Sequence, residues 1–215
     1  MTTHDFLAMT QLCAPAIAPQ TLAAIVRIES GFNPYAVGVV NARLTRQPKS
    51  EGEAVATVNA LQAAGWNYSA GLAQINRANW SRYGLTASTV FDVCRNLAAG
   101  ADILRECFTR ARMIHSDPQG ALRAALSCYE SGNFATGFRT GYVQRVARAA
   151  RSDHFTVPAL NSASLPIPVV PVGMTAPELR IDRHSTITYP TTHGPGSDTE
   201  RRLRDNESDA SAVIF

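Results

Sequence analysis

The sequence predicts a mainly α-helical domain with a small β-hairpin, followed by a proline-rich tail. In residues 95–112 apolar side chains recur at helical spacing, which gives one buried stripe. The 215 residues are 45% hydrophobic, enough for one sizeable core. After Phe155 the composition changes, because residues 156–215 contain 7 of the 12 prolines. We therefore expect a helical domain at residues 1–155 and a linker with a disordered or partner-binding tail at residues 156–215.

Local signals define the helices of the front domain. The apolar run Thr21–Ile28 follows Pro19, which predicts a short helix. Ser50 and Glu53 have the spacing of a capping box and predict a second helix that runs to Gly65. Further helices are expected at residues 77–83, 95–112, 118–130 and 142–151.

Short apolar segments between these helices favour strands. Val37–Val40 and Arg43–Thr45 are separated by Asn41 and Ala42, a spacing that predicts a hairpin. Residues 68–76 mix glycine with polar and apolar side chains, and we expect a loop or a short strand there.

Charge and hydropathy exclude two classes of partner. The net charge of +3 is far below the basic excess typical of nucleic-acid-binding proteins. Residues 1–155 hold 15 basic and 10 acidic side chains, which suits an anionic polymer such as the cell wall and equally an ordinary surface. No stretch approaches the ~20 apolar residues of a membrane-spanning helix, so we expect no membrane span.

Cysteine usage and the amino terminus point in different directions. Four cysteines without a CxxC pair favour two disulfides in an oxidising compartment, with three possible pairings; four buried thiols are the alternative. They are Cys13, Cys94, Cys107 and Cys128. The first nine residues lack the basic and apolar regions of a signal peptide. Export would require a leader that is missing here, or another route.

Glu29 is the side chain best placed for acid–base chemistry. It ends an apolar helix, so its carboxyl group is expected at the wall of the core. It also lies in the last helical turn, where the helix dipole disfavours a negative charge. Both effects raise the pKa of a carboxyl group, as a general acid at neutral pH requires. The alternative is a helix-end glutamate that bends out to water.

Four motifs occur in order along the chain, and Glu29 begins the first of them. They are Glu29–Pro34 (ESGFNP), Gly71–Asn76 (GLAQIN), Asn96–Leu104 and Ala125–Asn133. Over roughly residues 11–150 this series resembles the soluble lytic transglycosylases, which share the lysozyme and goose-type lysozyme fold. Residues 13–25, 79–84 and 141–146 are similar to the VirB-type transglycosylase component of type IV secretion systems. The resemblance implies an α+β, lysozyme-like domain.

The resemblance also implies a role for each matching residue. Glu29 takes the position of the catalytic acid and base, and Ser30 that of a residue holding the sugar or the carboxylate. Tyr129 matches a tyrosine that hydrogen-bonds near the catalytic carboxylate. The motif that lines the glycan groove supplies Gly71, Gln74 and Asn76.

Two places depart from the family pattern. Ala73 stands where methionine is usual, which removes an apolar contact with the sugar. Glu130 and Ser131 replace asparagine and alanine, which adds a carboxyl group beside Tyr129. If Glu130 lies close to Glu29, it raises the pKa of Glu29 further.

The implied reaction needs one carboxyl group, whereas glycosidases usually need two. Glu29 would protonate the β-1,4 oxygen between N-acetylmuramic acid and N-acetylglucosamine. Its carboxylate would then deprotonate the muramoyl 6-hydroxyl, which closes a 1,6-anhydro ring without metal or cofactor. None of the other acids matches a second catalytic position; those considered are Glu51, Glu53, Asp92, Asp102, Glu106 and Asp117.

The cellular setting is also an expectation from the resemblance. Local opening of the wall in the periplasm would let a type IV secretion system assemble, and the tail would dock secretion subunits. We favour the disulfides Cys13–Cys94, tying the amino-terminal segment to the loop before Asn96, and Cys107–Cys128, joining consecutive helices. Two other functions stay open, a hydrolytic lysozyme and a non-enzymatic wall-binding assembly factor.

Overall fold

The computed structural model describes residues 3–151 and 165–172, in which seven α-helices surround short antiparallel strands. The helices are α1 (Thr3–Cys13), α2 (Pro19–Glu29), α3 (Glu51–Ala63), α4 (Val93–Arg112), α5 (Pro118–Ser131), α6 (Thr136–Arg139) and α7 (Tyr142–Ala149). The strands are β1 (Val37–Val39), β2 (Ala42–Leu44), β3 (Tyr68–Ala70), β4 (Ile75–Asn76) and β5 (Val169–Pro171). The predicted mainly α domain is confirmed.

Side-chain caps begin three of the predicted helices. The Ser50 hydroxyl accepts the backbone N–H of Glu53 at the start of α3, which confirms the helix start inferred from the capping box. Asp92 and Asp117 accept backbone N–H groups in the first turns of α4 and α5. Residues 77–83, expected as one helix, form two 3₁₀ helices, Arg77–Asn79 and Ser81–Tyr83, and the second ends at Gly84 with φ 63°.

Helices α1 and α6 have no counterpart among the sequence predictions. Helix α1 contributes Phe6, which is fully buried and meets Phe32 edge to face at a centroid distance of 5.0 Å. These rings belong to a cluster between α1, α2 and α4 that also contains Leu22, Val26 and Leu97. Helix α1 is therefore stabilised by packing its apolar side chains against α2 and α4.

The predicted hairpin is wrong in its pairing. Strands β1 and β2 form where expected, but β1 pairs with β3 and β2 pairs with β5. The sheet β1–β3–β4 contains a hairpin between β3 and β4, in the segment 68–76 expected as a loop or short strand. The long-range partner of β2 lies far along the chain, where local alternation carries no information about it.

Part of the predicted tail packs on the front domain. Arg43 in β2 lies opposite Val170 in β5, and Val170 and Ile167 are buried. The backbone N–H of Ile167 donates to the Thr57 hydroxyl at 2.9 Å. The rest of the predicted tail, with residues 152–155 of the predicted domain, lies outside the described residues, so the domain boundary stays a prediction.

Both predicted disulfides are confirmed. Cys13 at the end of α1 is bonded to Cys94 in the first turn of α4, and Cys107 in α4 is bonded to Cys128 in α5. Helix α4 is thus cross-linked to a neighbour on each side. In the part of the chain that the structure describes, no helix is long and apolar enough to cross a membrane.

Candidate active site

Glu29 is the last residue of α2 and lies against α7. The residue is partly exposed, and its carboxyl oxygen Oε1 accepts a hydrogen bond from the Tyr142 hydroxyl. Burial raises the pKa of Glu29 from 4.5 to about 8, and the negative charge of Glu130 acts in the same direction. The Tyr142 hydrogen bond and the Arg145 guanidinium lower that pKa. The carboxyl group is therefore protonated at neutral pH, as the sequence predicts.

Tyr142 reaches Glu29 because of a sharp turn between α6 and α7. Gly141 has φ 75°, a conformation that glycine adopts without strain, and Tyr142 is the first residue of α7. The tyrosine is buried apart from 2% of its surface, and the Arg145 guanidinium lies 5.9 Å from its ring centroid. Tyr142 therefore presents its hydroxyl group to the Glu29 carboxyl group from a packed position.

Glu130 is a second carboxyl group close to the first. It lies in the last turn of α5 and is 1% exposed. Both of its carboxylate oxygens lie 3.0 Å from the Thr140 hydroxyl oxygen. Burial raises the pKa of Glu130, while the Thr140 hydrogen bond and the charge of Arg145 lower it. The expected effect of Glu130 on the pKa of Glu29 is present.

Ser30 uses its hydroxyl group within its own helix. Oγ donates to the carbonyl oxygen of Val26 at 3.0 Å, and the Ser30 backbone N–H donates to the same oxygen. Ser30 is partly exposed and follows Glu29 directly. In this arrangement the side chain closes the end of α2 beside the carboxyl group.

Gly71 and Gln74 form the turn between β3 and β4. Both have positive φ, 83° and 48°. The Gln74 side-chain amide donates to the carbonyl oxygens of Ala36 at 3.0 Å and Gly71 at 2.9 Å. These bonds hold the turn in shape and tie it to the segment before β1.

The side chain of Asn96 in α4 also holds the turn between β3 and β4. Its Oδ1 accepts the backbone N–H of Ala73 at 2.7 Å, and its Nδ2 donates to the carbonyl oxygens of Ala70 and Val90. A Cβ atom at Gly71 would lie 2.1 Å from Asn96 Nδ2. The turn therefore needs glycine at this position for space as well as for φ.

Tyr129 directs its hydroxyl group to the turn, and burial and then the charge of Glu29 raise the pKa of that hydroxyl. Its hydroxyl donates to the carbonyl oxygen of Ala73 at 2.6 Å, and the residue is 1% exposed. Gly100 permits this approach, because a Cβ there would lie 2.7 Å from Ala73 Cβ and 3.1 Å from the Tyr129 oxygen. Buried Ala73 faces α4, where a longer side chain would meet Gly100.

Asn76 is likewise bonded inside the protein. Its Nδ2 donates to Asn67 Oδ1 at 2.8 Å, and its Oδ1 accepts the backbone N–H of Ala78 at 3.0 Å. The site residues expected from the sequence thus fall into two groups. Glu29 and Ser30 reach solvent, whereas the others support the site from inside and are Gly71, Gln74, Asn76 and Tyr129. Direct contact of those four with a glycan stays a prediction.

No role for Tyr142, Thr140 or Arg145 was predicted from the sequence. Residues 141–146 matched the VirB-type group in sequence, which was the one available signal. Tyr142 lies 113 positions after Glu29, so their contact follows from the packing of α7 against α2.

The other acids considered as a second catalytic group have structural partners or lie on the surface. Glu53 is buried and ion-paired with Arg46, which lowers the pKa of Glu53 to about 2. Asp102 and Glu106 form ion pairs with Arg105 and Arg82. Asp92 and Asp117 cap α4 and α5, and Glu51 is exposed in the first turn of α3. Within residues 3–151 and 165–172, no cluster of three or more His, Cys, Asp and Glu side chains could hold a metal ion.

Two cavities in the described part of the chain are lined by residues other than those of the candidate site. One of about 370 Å³ lies beside α4 and includes Tyr83. The other, of about 550 Å³, is lined by Phe138 and Val143 with three arginines, Arg123, Arg148 and Arg151.

Comparison with known proteins places the chain in a family. Residues 6–151 match the family model described as the transglycosylase SLT domain, and the chain belongs to this family. It is 49% identical over 179 residues to the type IV secretion system protein virB1 of Brucella suis, covering 80% of this chain and 71% of that protein. Protein virB1 of Rhizobium radiobacter is 36% identical over 160 residues, with 74% and 65% covered. No solved structure matches the chain.

Proposed function

We propose that the protein is a peptidoglycan lytic transglycosylase with Glu29 as its catalytic acid and base. The observation that carries the proposal is a glutamate with a pKa of about 8 at the edge of the core, hydrogen-bonded to Tyr142. A carboxyl group of this pKa holds its proton at neutral pH and, once ionised, is a stronger base than an ordinary carboxylate. Membership of the transglycosylase SLT domain family supports the same reaction class.

The Glu29 carboxyl group alone can carry both proton transfers of the reaction. The Glu29 proton passes to the glycosidic oxygen, and the bond from that oxygen to the muramoyl anomeric carbon breaks. The 6-hydroxyl oxygen bonds to the anomeric carbon, and its proton returns to the Glu29 carboxylate. The Tyr142 hydroxyl stabilises the carboxylate between these two transfers. Since Glu130 is buried and accepts a hydrogen bond from the Thr140 hydroxyl, its carboxyl group is not placed to attack a sugar.

Mass spectrometry of digested peptidoglycan tests the proposal. The full chain, its Glu29→Gln variant and the surface control Glu51→Gln are incubated with purified sacculi. Anhydromuropeptides from wild type and Glu51→Gln are expected, with a rate about 10²–10⁴-fold lower in Glu29→Gln. Reducing-end products would instead identify a hydrolytic lysozyme. Sedimentation with sacculi without any soluble product would identify a wall-binding assembly factor.

We further propose that this activity serves a type IV secretion system in the periplasm. The support is the similarity to proteins named virB1 and the two disulfides, which persist in oxidising compartments. Docking of secretion subunits through the tail, residues 156–215, belongs to the same proposal. Fractionation of cells and cross-linking of the full chain, against a chain ending at residue 172, tests location and docking together.

A further inference from the structure

The single-carboxyl reaction leaves Glu130 without a role, although a buried carboxyl group is expensive to keep. Glu130 is 1% exposed and lies at the carboxyl end of α5, where the helix dipole opposes a negative charge. It is also a departure from the family pattern at a position beside Tyr129. A residue that costs stability in this way is a candidate for a function at the site.

The hydrogen bonds of Glu130 lead directly to the catalytic side chain. The Thr140 hydroxyl oxygen lies 3.0 Å from each Glu130 carboxylate oxygen and 3.4 Å from the Tyr142 backbone nitrogen, which donates to it. Arg145 donates to the Thr140 carbonyl oxygen at 2.8 Å. Tyr142 in turn donates to Glu29. Thr140 is thus the link between Glu130 and the turn that places Tyr142.

Glu130 is closely packed against the segment that contains Gly137. A Cβ atom at Gly137 would lie 3.0 Å from Glu130 Oε2 and 2.6 Å from the backbone of Ser127. The one proton of the Thr140 hydroxyl serves both carboxylate oxygens, although an ionised carboxylate can accept about four hydrogen bonds. An ionised Glu130 carboxylate is therefore poorly solvated in this pocket.

The charged and titratable groups that act on Glu29 come from two helices. Helix α5 supplies Glu130 and the buried hydroxyl of Tyr129, and α7 supplies Tyr142 and Arg145. Glu130 is the acid whose charge opposes ionisation of Glu29. Two carboxyl groups that interact in this way take up the first negative charge more easily than the second.

We propose that Glu130 is a positioning residue for Glu29: through Thr140 it fixes the turn that carries Tyr142, and its carboxyl group opposes a second negative charge in the pocket. This inference rests on the proposed function, since it assigns Glu130 a part in keeping Glu29 ready as an acid. It makes the reaction depend on a carboxyl group that never touches the sugar.

The test is the pH dependence of anhydromuropeptide formation by the full chain carrying Glu130→Gln. Glutamine keeps the shape and can still accept the Thr140 hydrogen bond, but it carries no charge. We expect the alkaline limb of the rate profile to move to lower pH by about one unit, with KM unchanged. Glu51→Gln, which removes one exposed negative charge, is the matched control and keeps the wild-type profile.

A second variant separates the structural link from the charge. Thr140→Val removes the hydroxyl while keeping the branched shape, so we expect kcat to fall about tenfold with little change in KM. A lower melting temperature with an unchanged pH profile and unchanged kcat, in both variants, would show that Glu130 is only structural and would overturn the proposal.

One measurement does not depend on activity. Titration of ¹³C-labelled glutamate by NMR, with the Glu29 signal assigned from Glu29→Gln, reports the pKa of Glu29 directly. A lower pKa of Glu29 in Glu130→Gln supports the coupling even in a protein that cleaves nothing, and an equal pKa overturns it. If wild-type protein forms no anhydro product, the proposed function fails while this titration still decides the coupling.

Discussion

At Glu29, burial and hydrogen bonding act on one carboxyl group in opposite directions. Burial favours the protonated form, and the Tyr142 hydroxyl favours the anion. The balance leaves a group that can both give and take a proton near neutral pH. This is the residue-scale reason why one carboxyl group can serve both steps of the proposed reaction.

Replacing Tyr142 by phenylalanine shifts this balance toward the acid. The ring and its packing remain, but the anion loses its hydrogen-bond donor, so the pKa of Glu29 rises further. We expect kcat to fall about tenfold or more and the alkaline limb of the rate profile to move to higher pH. Digestion of sacculi across pH 5–9 measures both. A limb that moves to lower pH would contradict the assigned hydrogen bond.

Glu29 also makes stability depend on pH, and the sign follows from its raised pKa. Between 4.5 and about 8 the folded state keeps a proton that the unfolded chain releases, so the wild type loses stability as pH rises through this range. Glu29→Gln does not titrate. Its melting temperature should therefore exceed that of wild type by about 5 °C at pH 8 and much less at pH 5. A difference independent of pH would count against the raised pKa.

At the scale of elements, the turn between β3 and β4 is held by hydrogen bonds from several buried side chains. Asn96 bonds its backbone at two positions, Tyr129 bonds Ala73, and Gln74 closes it internally. None of these groups needs to touch substrate to matter. Asn96 in α4 and Tyr129 in α5 fix the position of the turn, so these two helices determine the shape of the turn.

Two glycines of positive φ give a matched comparison for this turn. A Cβ at Gly71 would lie 2.1 Å from Asn96 Nδ2, whereas a Cβ at Gly65 would meet nothing within 4 Å. Gly71→Ala should cost about 3 kcal/mol of unfolding free energy or more, and Gly65→Ala about 1 kcal/mol. Urea unfolding of both variants measures the difference. Equal losses would mean that the turn yields without breaking the Asn96 contacts.

The sequence predicted elements whose signals are local and missed those that depend on distant partners. Pro19 and the apolar run after it were sufficient for α2, and Ser50 for the start of α3. The partner of β2 is β5, which only the folded chain brings near. Glu29 was singled out from the sequence as the candidate acid, but Tyr142 was not, because it reaches Glu29 through the packing of α7. Helix α1 depends on burial of Phe6 in the same way.

On the scale of the whole molecule, two disulfides tie α4 to its neighbours. Cys13–Cys94 closes a sequence separation of 81 residues and Cys107–Cys128 one of 21. By loop-closure entropy the first contributes about 4 kcal/mol and the second about 3 kcal/mol. Helix α4 also carries Asn96 and Gly100, so these links secure the element under the candidate site.

Removing each disulfide separately should show that Cys13–Cys94 contributes more to the free energy of unfolding than Cys107–Cys128 does. We expect the double variant Cys13→Ala with Cys94→Ala to lose more unfolding free energy than Cys107→Ala with Cys128→Ala. Urea unfolding under non-reducing conditions measures both, and full reduction of the wild type gives the upper limit. A larger loss for the Cys107 pair would show that local packing between α4 and α5, rather than loop closure, dominates.

The contact between Gly71 and Asn96 has a consequence for how this protein can evolve. One small volume is shared by two positions far apart in the sequence, and the amide now fills it. A side chain at residue 71 would meet the Val90 carbonyl oxygen at 2.7 Å even after Asn96 had been replaced by something smaller. Loss of Asn96 first leaves one N–H and two carbonyl groups without it. A substitution at either position alone therefore disturbs the turn, and we expect distant descendants to keep both residues.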